Sequence, residues 1–161
     1  MPRSPLTRRL AQLVGGVAVL VAGAACAVPG PPQITFYADR QTVAAGPVVF
    51  CSIDFTACEP PGQVARLTVP PGYPLQVSLP TEIADAPWRM ITVYLDASGT
   101  QQVREQYYRP GARLAVTVRL DDPASTLQGV EIQLPSGFTD AAGKPVARGA
   151  WSIRNDYTPH G

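Results

Sequence analysis

From residue 34 onward, apolar and polar positions alternate with a period of two along much of the chain. Leu75, Val77 and Leu79 share one face, with Gln76 and Ser78 on the other. Leu114, Val116, Val118 and Leu120 alternate with Ala115, Thr117 and Arg119 in the same way, and Val130, Ile132 and Leu134 alternate with Glu131 and Gln133. Successive side chains of a strand point to opposite faces, so this pattern predicts strands that bury one side. Strands are expected over residues 34–37, 48–55, 64–69, 75–79, 88–95, 102–108, 114–120, 130–134 and 146–154. Residues 88–95 carry apolar side chains on both faces, Ile91, Val93 and Leu95 against Trp88, Met90 and Tyr94, as in a central, covered strand.

The breaks between these runs carry turn chemistry. Pro70-Pro71-Gly72, Asp96-Ala97-Ser98-Gly99, Asp121-Asp122-Pro123 and Pro135-Ser136-Gly137 are predicted to reverse the chain. The Pro-flanked segment 80–87 is expected to cross from one sheet to another. No run outside the N-terminal segment has helical apolar spacing. About nine strands that each bury one face must pack against a second sheet, so the expected fold is all-β. An immunoglobulin-like antiparallel β-sandwich spanning residues 34–157 fits best, with a closed barrel as the alternative.

The first 27 residues read differently. Arg3, Arg8 and Arg9 precede an apolar run over residues 13–25, and Ala24, Ala25, Cys26 and Ala27 follow. Charge, apolar core and small residues in that order predict an export signal or a membrane anchor helix. The run is about 16 residues when taken to Val28, short of the roughly 20 that span a bilayer core. Cys26 is a candidate lipidation site, although the position three before it, usually aliphatic in lipoprotein signals, is Gly23. Cleavage after Ala27 is the rival, because Ala25 and Ala27 form the small-residue pattern. Arg8-Arg9 also bears a faint likeness to a twin-arginine signal. Residues 28–33 contain Pro29, Pro31 and Pro32 and form a stiff spacer. Residues 158–161 form a short tail.

Composition supports a folded domain. Eighteen Pro and 14 Gly are spread between apolar runs, and the 45% apolar content is too high for a disordered chain. Setting aside the three leader arginines, the other 10 basic residues face 12 acidic ones, all at or after Asp39. A domain so balanced has no basic footprint for nucleic acid.

Cys51 and Cys58 enclose a short loop in a chain expected to leave the cytoplasm, which favours a disulfide. Their spacing does not match a redox C-x-x-C pair, and the only His, His160, lies in the tail, leaving little for a metal site. Trp88 and Trp151 are expected in the core. Tyr107 and Tyr108 occupy opposite faces of one strand, so one ring should be exposed, near Arg104 and Arg109. Glu82 with Asp85, and Asp121 with Asp122, are read as turn carboxylates and not as acid–base pairs. No Ser–His pairing, phosphate loop or dinucleotide fingerprint is present, so no catalytic, metal or cofactor residues are assigned.

The lipoprotein-like leader, Pro32-Gln33-Ile34-Thr35-Phe36-Tyr37, the Cys51/Cys58 pair, Leu75-Gln76-Val77-Ser78-Leu79-Pro80 and Ala86-Pro87-Trp88 together resemble a family of exported actinobacterial proteins known only as a domain of unknown function. The resemblance covers essentially the whole chain. It implies a cell-envelope location and carries over no functional residues. The expected role is non-catalytic: a domain that binds an envelope protein or glycan, held at the membrane through its N-terminal segment or a lipid. A carrier or hydrolase with a ligand cleft between the sheets is the alternative.

Overall fold

The computed structural model describes residues 30–158. The predicted signal or anchor, Cys26, the start of the spacer and His160 lie outside them. The described chain forms ten strands and one short helix: β1 (Ile34–Ala38), β2 (Gln41–Ala45), β3 (Val49–Phe50), β4 (Ala65–Leu67), β5 (Leu75–Ser78), α1 (Thr81–Ala84), β6 (Trp88–Leu95), β7 (Gln101–Tyr108), β8 (Ala115–Val118), β9 (Thr126–Thr139) and β10 (Pro145–Asn155). They make two sheets, not a closed barrel. The smaller has the order β2-β1-β5-β8, and the larger runs β3-β10-β9-β6-β7, with β4 also on β10. Pairing is antiparallel except for β4, which lies parallel to β10.

One apolar core lies between the sheets. Ile34, Phe36, Leu75 and Val77 of the smaller sheet meet Trp88, Met90, Ile132 and Trp151 of the larger, all essentially inaccessible to water. Burial follows the alternation in β5, where Leu75 and Val77 are buried and Gln76 and Ser78 exposed. It picks one of the two apolar faces of β6: Trp88, Met90 and Thr92 face the core, while Ile91 and Val93 are half-covered on the other side. Segment 80–87 does carry the chain between the sheets, using the single turn of α1.

Four local expectations need correction, each with a physical cause. β2 has no counterpart among the predicted strands. It returns from β1 through a two-residue turn in which Asp39 and Arg40 have φ of 42° and 63°. Successive positive φ values give the mirror-image turn that suits strand twist, usually signalled by Asn-Gly. The expected strand over 48–55 stops at Phe50, because Ser52 to Ala57 fold into a loop closed by the Ser52 N–H donating to the Ala57 carbonyl. The expected turn at Pro135-Ser136-Gly137 lies inside β9, where the ladder shifts register opposite Ala147. Proline is accommodated at such irregularities, and the Ser136 hydroxyl donates to the Val146 carbonyl at 2.8 Å there. The chain reverses instead at Asp140-Ala141-Ala142-Gly143. This matches the β6–β7 turn Asp96-Ala97-Ser98-Gly99: in both, the leading carboxylate accepts backbone N–H groups and the Gly has positive φ. Finally, β4 is parallel to its neighbour, which apolar spacing alone does not specify.

Hydrogen bonds hold two loop carboxylates low, Asp54 in the 52–57 loop and Asp96 in the β6–β7 turn. The Ser52 hydroxyl, helped by the Thr56 side chain and backbone, lowers Asp54 from 3.8 to about 2. The Ser98 hydroxyl, with Gln102 and Thr100, lowers Asp96 by the same amount. A folded-state pKa below the unfolded one contributes stability that is fully present above the unfolded value and lost as pH falls through the folded one. Melting temperature is therefore expected to depend little on these groups above pH ~5 and to fall between pH ~4 and ~2. Asp54→Asn with Asp96→Asn should flatten that fall in a melting series, and an unchanged slope would show that these turns do not contribute.

Candidate functional site

The outward face of the larger sheet is the most organised polar surface of the described residues. Register places its side chains in three rows across β10, β9, β6 and β7. The first is Ala150, Gln133, Arg89 and Tyr107; the second Ser152, Glu131, Ile91 and Glu105; the third Arg154, Gly129, Val93 and Val103. Directly opposed residues lie about 5 Å apart, close enough for side chains to bond across the ladder.

Those bonds form one connected strip. Arg89 Nε donates to Gln133 Oε1 at 2.6 Å, the Gln133 amide donates to Glu131, and the Ser152 hydroxyl donates to the other Glu131 oxygen at 3.0 Å. Towards β7, Arg89 donates to the Tyr107 hydroxyl at 3.3 Å, which in turn donates to Glu105 at 3.0 Å, and Arg89 also pairs with Glu105 at 3.6 Å. The Arg89 side chain is only 12% exposed despite facing outward. Linked hydrogen bonds polarise one another and hold long side chains in single orientations.

A shallow groove of about 540 Å³ runs along the third row, lined by Val64, Val93, Gly129, Glu131, Ser152 and Arg154. Gly129 is required at its floor: a Cβ there would stand 2.6 Å from the Ile153 carbonyl oxygen. The surface thus joins a fixed polar strip to a small apolar trough.

Sequence-selected residues are placed as follows. Cys51 and Cys58 form a disulfide with Cα atoms 4.0 Å apart, joining the two ends of the loop. Trp88 and Trp151 are buried, and the Trp151 indole donates to the Pro32 carbonyl at 2.8 Å. Tyr107 is the exposed ring of its pair, while Tyr108 stacks on Trp88 with centroids 3.9 Å apart. Burial raises the Tyr108 phenol pKa, opposed by Arg113 and Arg104. Arg104 is not beside Tyr107. It faces the other way, over the Tyr94 ring, and donates to the Arg119 carbonyl at 2.7 Å. Asp122 receives the Ala124 N–H as a turn carboxylate. Arg89, Gln133, Glu131 and Ser152 were not singled out in the sequence; the only available signal was their polar parity on strands whose opposite face is apolar.

A protein-family model described as "Protein of unknown function (DUF2771)" matches residues 27–156. Uncharacterised proteins of Mycobacterium bovis and of two strains of Mycobacterium tuberculosis are 35% identical over 130 residues, covering 78% of this chain and 78% of each relative. No solved structure matches the chain.

Proposed function

The chain belongs to the DUF2771 family, proteins of unknown function, and from that premise we propose that it is an exported cell-envelope protein whose immunoglobulin-like domain binds a polar partner, protein or glycan, without catalysing a reaction. Strand order supports the immunoglobulin-like reading. β1, β5 and β8 correspond to strands A, B and E of that fold, and β6, β7, β9 and β10 to C, C′, F and G. The short loop clipped by the disulfide supports export, as do the charge, apolar run and small residues of the N-terminal segment. In this reading an N-terminal anchor helix or a lipid on Cys26 keeps the domain at the membrane.

The observation that carries the binding reading is the ordered strip centred on Arg89. Its donors and acceptors are already fixed, so a partner would meet little ordering cost there. A carrier role is less well supported. The hollow between Pro70–Tyr73 and Val118–Leu120 is more enclosed than the third-row groove but holds only about 70 Å³, and the 540 Å³ groove lies open on the sheet surface, whereas small-molecule sites are clefts of roughly 300–1,000 Å³ that bury most of their ligand.

Arg89→Ala removes the hub of the strip. It is expected to cost about 2 kcal/mol of stability through lost charged hydrogen bonds, leaving the fold intact. Envelope cross-linking with the full chain should recover a partner, and the variant should recover at least tenfold less. Equal recovery by both would exclude this face, and no partner at any affinity would remove the binding reading.

A further inference from the structure

β8 is an edge strand of the smaller sheet, and β7 is an edge strand of the larger. Backbone groups along an antiparallel strand turn alternately towards a neighbour and away from it. The Leu114 carbonyl accepts the Leu79 N–H at 2.8 Å, and register then turns the backbone groups of Val116 and Val118 towards β5 as well. Those of Ala115 and Thr117 face the open edge, where no backbone group meets them among the described residues. The next group of that parity, the Arg119 carbonyl, accepts Arg104 Nη2 from β7 at 2.7 Å. The open edge of β8 therefore lies beside β7.

A groove of about 420 Å³ runs between the two edges, lined by Gln106 and Tyr108 of β7 and by Arg113, Ala115, Val116 and Thr117. Arg104, Gln106 and Tyr108 stand opposite Thr92, Met90 and Trp88 in the ladder, so they share the core-side face of β7. The smaller sheet stops at β8, and Gln106 remains exposed on that face. Positive charge gathers here. Arg104 and Arg113 both act on the Tyr108 phenol. Arg113 and Arg119 are exposed and, like Arg109, have no ion-pair partner among the described residues. Arg104 Nε is buried without an acceptor. Asp121 stands 3.6 Å from the Arg104 guanidinium, but its side chain is 96% exposed, so water screens the pair. Glu105 lies on the other face of β7, where Arg89 and Tyr107 hold it.

We propose that the open edge of β8 receives an extended acidic segment of a partner protein, which adds as a further strand to the smaller sheet beside Gln106 and Tyr108 of β7. Ala115 and Thr117 offer N–H and carbonyl groups in strand register, the pattern that an extended peptide backbone completes. Alternate carboxylates of the incoming strand then meet Arg104 and Arg113. A second copy of this chain fits poorly, because β2, β3, β4 and β8 carry no carboxylate and on β7 Glu105 is offset by Arg104. This edge is separate from the Arg89 strip, and the inference stands without it.

The test uses the full chain in detergent and a fluorescent heptapeptide of alternating Glu and Thr, with binding read by anisotropy and amide exchange by NMR. The peptide is expected to bind and to slow exchange of the Ala115 and Thr117 amides by about tenfold or more. A Lys-for-Glu peptide, and a Glu peptide N-methylated along its backbone, should each bind weaker by about tenfold or more. Thr117→Pro removes an edge N–H that the fold does not use, and should weaken binding to the same degree while the melting temperature holds. Arg113→Glu, at an exposed position, should also weaken it and serves if the proline variant does not fold. Arg89→Ala should bind the peptide unchanged. Equal binding of the N-methylated peptide means charge attraction without strand pairing and overturns the proposal. Loss of binding in Arg89→Ala places the contact on the strip and overturns it too. Protection of the Ala115 and Thr117 amides that needs no peptide and grows with protein concentration identifies a second copy at the edge, with the same consequence. No protection at peptide concentrations up to about 1 mM shows that Arg104 and Arg113 only guard the edge against pairing, and the proposal fails.

Discussion

Trp151→Ala is expected to destabilise the domain by about 3–5 kcal/mol, the largest effect of any single substitution considered for this chain. Trp151 is completely buried at the centre of β10, the strand that pairs with β3, β4 and β9. Its ring meets Phe50 edge-on at 5.8 Å, and its N–H satisfies the Pro32 carbonyl. Truncation would therefore open a cavity between the sheets and release the chain where it enters the domain. A domain of this size has roughly 5–15 kcal/mol in total, so the loss would move the urea midpoint by a large fraction of its value. Trp151→Phe keeps most of the apolar volume and gives up the hydrogen bond, and should cost about 1–2 kcal/mol. If Trp151→Ala costs less than about 1 kcal/mol, the indole does not help join the two sheets, and the core assignment fails.

The second large effect is loss of the disulfide. Opening a loop of about 8 residues should cost roughly 2.5 kcal/mol in the chain-entropy account. The effect should be local, because only Val49–Phe50 of that segment forms a strand with β10. Cys51→Ser with Cys58→Ser should leave the two sheets folded while amide hydrogen exchange accelerates over residues 51–59. It should also free the Phe55 ring from its edge-on contact with Phe138. Acceleration spread through β6 and β9 would mean that the bridge supports the whole fold and not just one loop.

These elements show what the sequence exposes and what it hides. Alternation located β5, β6, β7 and β8 within a few residues, because a half-buried strand writes its geometry directly into its side-chain pattern. It misled at 48–55, where Ile53 and Phe55 continue the parity of Cys51 but belong to a loop set by Asp54 hydrogen bonds and a covalent bridge. It misled again at Pro135 to Gly137, where turn-forming residues mark an irregularity inside a long strand. The true reversal at Asp140 carried the same Asp-x-x-Gly signal that was read at Asp96. Pairing between distant strands, such as β4 on β10, depends on three-dimensional closure and has no local signature. The strip around Arg89 was illegible for the same reason. Arg89, Gln133, Glu131 and Ser152 are separate polar positions until register places them side by side.

Intact mass spectrometry of the protein from its own cell envelope, after thiol alkylation under denaturing conditions, tests the central claim that this domain folds and is clipped on the oxidising side of the membrane. The account predicts that Cys51 and Cys58 carry no alkyl group and that the chain is two hydrogens lighter than its reduced form. The same spectrum reads out the start of the chain, at a lipid-bearing Cys26, after Ala27 or at an uncleaved leader. A chain alkylated at both Cys51 and Cys58 would contradict the account.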